Sequence, residues 1–167
     1  MKINRKLNVA IIGCGNIGFF NDMGNRKKSL SYISSIKKLS NDFKLVSVAE
    51  HKVSKLMILK KRIKNVNFYK DYLCMLNKEI IDICIIATEN KFHFEILKKL
   101  SFFDIKAVIT EKPFLTSLNQ AKKIIQIYKK KKIILSVNYS RRFLKIFKDI
   151  KTQVNIKKFN KIAIFKF

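Results

Sequence analysis

Apolar runs alternate with segments of helically spaced apolar residues along most of this chain. The runs are short and rich in β-branched residues, which predicts β-strands at residues 7–12, 45–49, 66–69, 80–87, 107–110 and 133–137. The segments between them predict helices, and the side chains expected to face the core include Leu30, Ile33, Ile36, Leu39, Phe92, Ile96, Leu97, Leu100, Leu118, Ala121, Ile124, Ile125 and Tyr128. This alternation predicts an α/β fold with a doubly wound, mostly parallel sheet and helices on both faces.

Three glycines follow the first strand at the spacing G-x-G-x-x-G, within Gly13-Cys14-Gly15-Asn16-Ile17-Gly18. In a Rossmann-type turn the first glycine permits the bend, the second lets the backbone approach a pyrophosphate, and the third lets the next helix pack closely. The chain has only 4 glycines, whereas average usage would supply about twelve. We therefore predict a dinucleotide site that includes Asn16 and Ile17, with an ordinary strand-to-helix turn as the alternative.

Glu50 closes the second predicted strand, where an acidic residue can accept hydrogen bonds from the adenosine ribose. It lies 32 residues after Gly18 instead of about twenty, and the polar segment 21–28 is expected to be an inserted loop. The carboxylate would repel a 2′-phosphate and favours NAD, while His51 and Lys52 beside it keep NADP open. A solvated loop carboxylate is the alternative.

Two further polar clusters follow predicted strands: Thr88-Glu89-Asn90-Lys91-Phe92-His93 after 80–87, and Glu111-Lys112-Pro113 after 107–110. Ligands of doubly wound sheets bind beyond the carboxyl ends of the strands. All four clusters are therefore expected to converge on one edge of the sheet.

The charge and cysteine content narrow the possible partners. Lys and Arg number 37 against 11 acidic residues, a formal charge of +26, but the lysines are spread along the chain, so we expect no specific nucleic-acid partner. The three cysteines lack metal-ligand or disulfide spacing, which predicts no metal and reduced thiols in the cytoplasm. No apolar run approaches membrane-spanning length, so no membrane association is expected.

With these clusters in this order, residues 7–143 resemble the Gfo/Idh/MocA family of NAD(P)-dependent oxidoreductases. Ala87-Thr88-Glu89-Asn90-x-x-His93 is similar to the family's A-T-P-N-x-x-H, with Glu89 in place of proline. The resemblance implies that Thr88, Asn90 and His93 line the dinucleotide near its nicotinamide half. Glu111-Lys112-Pro113 matches the family's E-K-P, which implies that Glu111 and Lys112 belong to the cofactor site and that Lys112 is the catalytic candidate.

The resemblance also implies a substrate and a domain division. Residues 138–143 are similar to the family's G-[FY]-N-R-R-F, which makes Tyr139 and Arg141 candidate substrate contacts. The implied reaction is hydride transfer between NAD(P) and a sugar or polyol. We expect a dinucleotide-binding domain at 1–143 and the start of a truncated C-terminal α/β domain at 144–167, with a helix at 144–151 and a strand at 162–167.

The resemblance implies that the acid/base histidine and most sugar contacts belong to a C-terminal sheet domain, most of which we expect this chain to lack. We therefore expect an oxidoreductase or its cofactor-binding half, completed by a homo-oligomer or a partner chain. A non-catalytic nucleotide-binding or scaffold protein, a degenerate paralogue, is the alternative.

Overall fold

Six parallel strands form one sheet in the described part of the chain, residues 5–22 and 31–155 of a computed structural model. The strands are β1 (Leu7–Ile12), β2 (Phe43–Ala49), β3 (Asn67–Tyr69), β4 (Ile83–Ile86), β5 (Ala107–Thr110) and β6 (Ile134–Val137). Their order is β3-β2-β1-β4-β5-β6, and every neighbouring pair is parallel. The predicted fold class is therefore confirmed. Leu30 and the predicted strand 162–167 lie outside the described residues.

Helices follow the strands as the apolar spacing predicts. They are α1 (Tyr32–Lys38), α2 (Val53–Arg62), α3 (Tyr72–Lys78), α4 (His93–Leu100), α5 (Leu118–Lys130) and α6 (Lys145–Asn155). Side-chain oxygens of Ser31, Asp71 and Ser117 accept backbone N–H bonds at the starts of α1, α3 and α5. Each cap fixes the residue at which its helix begins.

The core lies on both faces of the sheet because successive residues of β1 point to opposite sides. Ala10 and Ile12 pack with buried residues of α3, α4 and α5, whereas Val9 and Ile11 pack with buried residues of α1 and α2. All four β1 side chains are nearly inaccessible to solvent. This double burial explains why β1 reads as a continuous apolar run.

Four side chains expected in the core are instead exposed: Leu39, Phe92, Leu118 and Ile125. In α5, Ile124 and Tyr128 occupy the inward stripe one turn apart, and Leu118 and Ile125 share the outer side two turns apart. Phe92 lies in the 3₁₀ turn before α4, and His93 takes the inward position at the helix start. Leu39 ends α1 as its C-cap.

Two elements differ from their predictions by three or more residues at one end. The strand predicted from residue 80 begins at Ile83, because Ile80 is exposed and Asp82 turns its side chain to neighbouring chain segments. The helix predicted at 144–151 begins at Lys145 and extends to Asn155.

The chain separates into two compact units, residues 1–137 and 138–167. The first contains the whole sheet. The described part of the second contains a 3₁₀ helix, Ser140–Phe143, followed by α6. The division into functional domains at 143/144 stays a prediction.

A buried carboxylate joins the amino ends of β1, β4 and β5. Asp82 accepts two hydrogen bonds from the Arg5 guanidinium at 2.7 and 2.8 Å, one from Lys106 Nζ at 2.6 Å and one from the Asn8 N–H at 2.8 Å. The Asp82 side chain is 4% exposed, whereas both cations are about half exposed. Burial alone would raise the pKa of Asp82, but the bonds to Arg5, Lys106 and Asn8 outweigh it and hold the pKa well below its usual range.

Asp82→Asn should lower the free energy of unfolding at pH 7 by about 2 kcal/mol, because it removes charge-assisted bonds whose cations are partly screened by water. The pKa of Asp82 is lower in the folded state, so its stabilisation is complete above the unfolded-state value of about 4 and is lost as the pH falls below it. Urea unfolding between pH 2.5 and 7 should show the gap between wild type and variant closing at acid pH.

The exposed carboxylate of Asp104 provides the matched control. Asp104→Asn should follow the wild-type stability across the pH range. A gap for Asp82→Asn that does not change with pH would contradict the assigned role of its charge.

Candidate functional site

The carboxyl ends of four adjacent strands bring the polar clusters together. The Gly13 N–H donates to the Ala49 carbonyl at 2.9 Å, the Ala87 N–H to Ile12 at 2.8 Å and the Glu111 N–H to Ile86 at 3.0 Å. Strand order reverses between β1 and β4, the position at which doubly wound sheets bind their ligands. The predicted cofactor-site residues, which lie between Gly13 and Lys112 in the sequence, therefore each follow one of four adjacent strands of the first unit.

The three glycines of the turn meet different surroundings. Gly13 has a φ of +87°, and a Cβ there would lie 2.7 Å from Thr88 Cγ2 and 2.9 Å from the Ala87 carbonyl carbon. A Cβ at Gly18 would lie 2.8 Å from the Gly13 oxygen and 2.9 Å from Cys14 Cα. At Gly15, Lys55 Nζ at 3.9 Å is the only atom of the described residues beyond its chain neighbours that lies within 4 Å of the Cβ position. The fold requires Gly13 and Gly18, whereas Gly15 borders open space that fits a close-approaching ligand.

The glycine turn does not lead directly into α1. A turn leads to a three-residue 3₁₀ helix, Phe20–Asp22, and α1 then joins the same turn, because the Tyr32 and Ile33 N–H groups donate to the Ile17 and Gly18 carbonyls at 3.0 and 3.2 Å. Each bond spans fifteen residues, whereas an α-helical bond spans four. The eleven extra residues account for the long interval to Glu50. Most of the predicted inserted loop, 21–28, lies outside the described residues.

Glu50 is buried, so its interpretation as a solvated carboxylate is wrong. Its Oε2 accepts the Cys14 N–H of the glycine turn at 2.9 Å, and its Oε1 accepts the Lys52 N–H at 3.0 Å and lies 3.3 Å from His51 Nδ1. A carboxylate has about four acceptor positions, so capacity for a further donor is left. Ribose binding by Glu50 stays a prediction.

A largely apolar cavity of about 320 Å³ adjoins the turn. It is lined by Ile12, Gly13, Ala49, His51, Lys70, Tyr72, Thr88, Phe92, Glu95 and Ile96. Two aromatic side chains and a flat glycine wall suit a planar heterocycle. The sequence did not identify Tyr72 or Phe92 as cavity residues, since an aromatic residue at a helix start also fits a core position.

His93 contacts the segments that follow both β4 and β5. It is fully buried, with Nε2 3.2 Å from the Thr88 carbonyl and Nδ1 3.2 Å from the Phe114 carbonyl. Asn90 Nδ2 donates to the Pro113 carbonyl at 2.6 Å. In this arrangement both side chains position the segments after β4 and β5, and their contact with a cofactor stays a prediction.

Thr88 Oγ1 is buried without a hydrogen-bond partner among the described residues. Buried hydroxyls are nearly always satisfied, and Thr88 lines the cavity. This orphaned group therefore fits a site that a polar ligand completes.

Glu111 and Lys112 adopt defined places after β5. Tyr32 Oη donates to Glu111 Oε1 at 2.7 Å, and Glu111 Oε2 accepts the Lys112 N–H at 3.3 Å. Lys112 is exposed. Tyr32 was missed because the residues between the glycine turn and α1 hide its proximity to Glu111 in the sequence.

Tyr139 and Arg141 lie in the second unit, and both are exposed. The Tyr139 carbonyl accepts the Arg142 N–H at 3.1 Å, and the Arg142 guanidinium lies 4.8 Å from the Phe143 ring centre. Substrate contact by Tyr139 or Arg141 stays a prediction.

Cys14 and Cys84 are buried and Cys74 is exposed, all as free thiols. Within residues 5–22 and 31–155 there is no group of three or more His, Cys, Asp or Glu placed to hold a metal. None of the described helices is long and apolar enough to cross a membrane.

A parallel sheet of this order, with a glycine turn after the central β1 and a buried carboxylate after β2, defines a Rossmann-type dinucleotide-binding domain. The model of the GFO_IDH_MocA family, an oxidoreductase family with an NAD-binding Rossmann fold, matches residues 7–139. The chain belongs to this family. The predicted family resemblance and the NAD-binding domain are therefore confirmed.

Solved structures share the fold at low sequence identity. The WlbA dehydrogenase from Bordetella pertussis, in complex with NADH and UDP-GlcNAcA, is 18% identical with a TM-score of 0.81, and the match covers 94% of this chain and 44% of that one. Myo-inositol 2-dehydrogenase from Lactobacillus plantarum is 23% identical with a TM-score of 0.76, and the match covers 95% of this chain and 43% of that one. The chain thus spans less than half the length of these neighbours. A search of curated protein sequences finds no match.

Gly18→Ala should destabilise the fold by about 2 kcal/mol, because its Cβ would meet backbone atoms that cannot rotate away. Gly15→Ala should change stability by less than about 0.5 kcal/mol, since its site is open and its φ lies outside the left-handed region. Thermal unfolding followed by circular dichroism checks both variants. Equal losses of stability would contradict the different roles assigned to the two glycines.

Proposed function

We propose that this chain holds NAD(H) along the carboxyl edge of its sheet and acts as an oxidoreductase on a sugar or polyol, or as the cofactor-binding part of one. The observation that carries the proposal is the open space at Gly15, between two glycines that the fold itself requires. Membership of the oxidoreductase family supports the reaction class. The neighbours described with UDP-GlcNAcA and as an inositol dehydrogenase support the substrate class.

The residues of the edge suit the parts of a dinucleotide. The glycine turn would hold the pyrophosphate at Gly15, Glu50 would accept the ribose hydroxyls, and the apolar cavity would take the adenine ring. The unpartnered Thr88 hydroxyl would complete the polar contacts. The assignments to Gly15, Glu50 and the cavity use space or acceptor capacity that the described protein atoms leave available.

For the proposed hydride transfer, the side chains of this chain mainly have to position the substrate, because the cofactor supplies the reactive carbon. When bound, NAD supplies the carbon that accepts or donates the hydride. Lys112, exposed next to the Glu111 carboxylate that Tyr32 orients, would hold the substrate hydroxyl and its proton beside that carbon. Further substrate contacts would come from other residues of the protein, from a second copy or from a partner chain. We place this activity in the cytoplasm, where free thiols persist.

Gly15→Val should abolish NADH binding, because its side chain would fill the space needed by the pyrophosphate, whereas Lys112→Ala should keep most of the affinity. Fluorescence titration with NADH measures both, and circular dichroism verifies that each variant is folded. If Gly15→Val binds like wild type, the dinucleotide site lies elsewhere.

Wild type should bind NADH about tenfold more tightly than NADPH, because the Glu50 carboxylate repels a 2′-phosphate. Glu50→Gln should narrow this preference by removing the charge while keeping similar volume. Calorimetric titration of both cofactors against both proteins provides the measurement. Equal or reversed wild-type affinities would refute the specificity assigned to Glu50.

The proposed activity itself is tested by turnover. NADH binding by the 167-residue chain is measured first. A fresh sample is then assayed with NAD⁺ and a panel of polyols, aldoses and nucleotide-linked sugars. Reduction of NAD⁺ with one class of substrate is the expected result. Intact NADH binding without turnover would favour a non-catalytic nucleotide-binding protein.

A further inference from the structure

Lys55 reaches the middle glycine of the turn from a neighbouring helix. It lies in the first turn of α2, five residues after Glu50, and its Nζ is 3.9 Å from the Cβ position of Gly15. The same Nζ is 5.7 Å from the centre of the Phe20 ring, so it lies near both ends of the turn that follows β1. The ammonium group therefore borders the open space that distinguishes Gly15 from the other glycines.

Among the described residues, no carboxylate lies within salt-bridge distance of the Lys55 ammonium. None of the ion pairs within the described ranges includes Lys55, although its side chain is half-buried. Burial and the Glu50 carboxylate raise the pKa of the Cys14 thiol, and the Lys55 ammonium opposes them, which again locates its charge at the turn. A partly buried cation without a carboxylate neighbour is suited to an anion that arrives with a ligand.

We propose that Lys55 is a phosphate-binding residue whose ammonium pairs with the pyrophosphate of the dinucleotide at Gly15. This inference rests on the proposed function, in which the turn holds NAD(H). A lysine ammonium is a point charge on a flexible stem, so it can serve either phosphate group without fixed geometry.

The local backbone explains why a side-chain cation is useful here. Before residue 23 the turn is followed by only a three-residue 3₁₀ helix, whereas an anion at a helix N-terminus benefits from several aligned peptide dipoles. Lys55 adds positive charge at the same point. Lys55 Nζ lies beside Gly15, where the turn would hold the pyrophosphate. A 2′-phosphate would lie next to the ribose, whose predicted ligand is Glu50. We therefore assign Lys55 to the pyrophosphate.

Lys55→Met tests the inference while keeping an unbranched apolar stem against Phe20. The affinity for NADH should fall about tenfold, the usual scale for one charged hydrogen bond. ADP-ribose, which keeps both phosphates, should show the same loss, and adenosine should show none. Lys55→Arg should restore most of the affinity.

Lys60→Met is the matched control, since Lys60 is an exposed residue of the same helix. It should leave every affinity at the wild-type value, and thermal unfolding should show both methionine variants to be folded. Calorimetric titration of the full chain measures each ligand separately.

Three results would overturn the inference in distinguishable ways. If Lys55→Met binds NADH and ADP-ribose like wild type, Lys55 is only a surface lysine beside Phe20. If only NADPH is weakened, Lys55 recognises the 2′-phosphate instead. If wild type binds no dinucleotide at all, the proposed function fails and this inference fails with it.

Discussion

The close contact of the glycine turn with the ends of β2 and β4 is the constraint on which the site depends. Gly13 bonds to Ala49 on one side and lies so near Ala87 and Thr88 on the other that no Cβ could be present. Glu50 then fixes the next residue of the turn through the Cys14 N–H. Because these contacts join rigid strand ends, the edge is arranged before any ligand binds, which reduces the entropy lost on binding.

Three of the 11 acidic residues of this basic chain occupy positions where they organise its structure. Asp82 joins the amino ends of three strands, while Glu50 and Glu111 each accept bonds at the carboxyl edge. Lysines at the same edge, Lys55 and Lys112, are in none of the ion pairs found among the described residues. The carboxylates thus stabilise the protein, and the cations are left to meet an anionic ligand.

The sheet could be predicted from sequence because its central strands are largely buried on both faces and read as apolar runs. The bounds of β1 and β5 agree with the pattern. The inner face of α5 could not, since its apolar residues cover more than one stripe and only packing selects Ile124 and Tyr128. The glycine spacing identified the turn, but the buried position of His93 involves the Phe114 carbonyl of a separate segment as well as the nearby Thr88 carbonyl. Tyr32 and Lys55 reach the edge through helix placement, which no short motif encodes.

Two features at Gly15 have one physical explanation. The described protein atoms leave room for a side chain there, yet a chain with only 4 glycines has one at this position. Among the described residues, the atom nearest to the Cβ position of Gly15, apart from its chain neighbours, is the ammonium of Lys55, which is in none of the described ion pairs. A missing Cβ permits close approach to the backbone, and a neighbouring cation favours negative charge. An anion held against the backbone at Gly15 accounts for both, whereas packing of the protein alone accounts for neither.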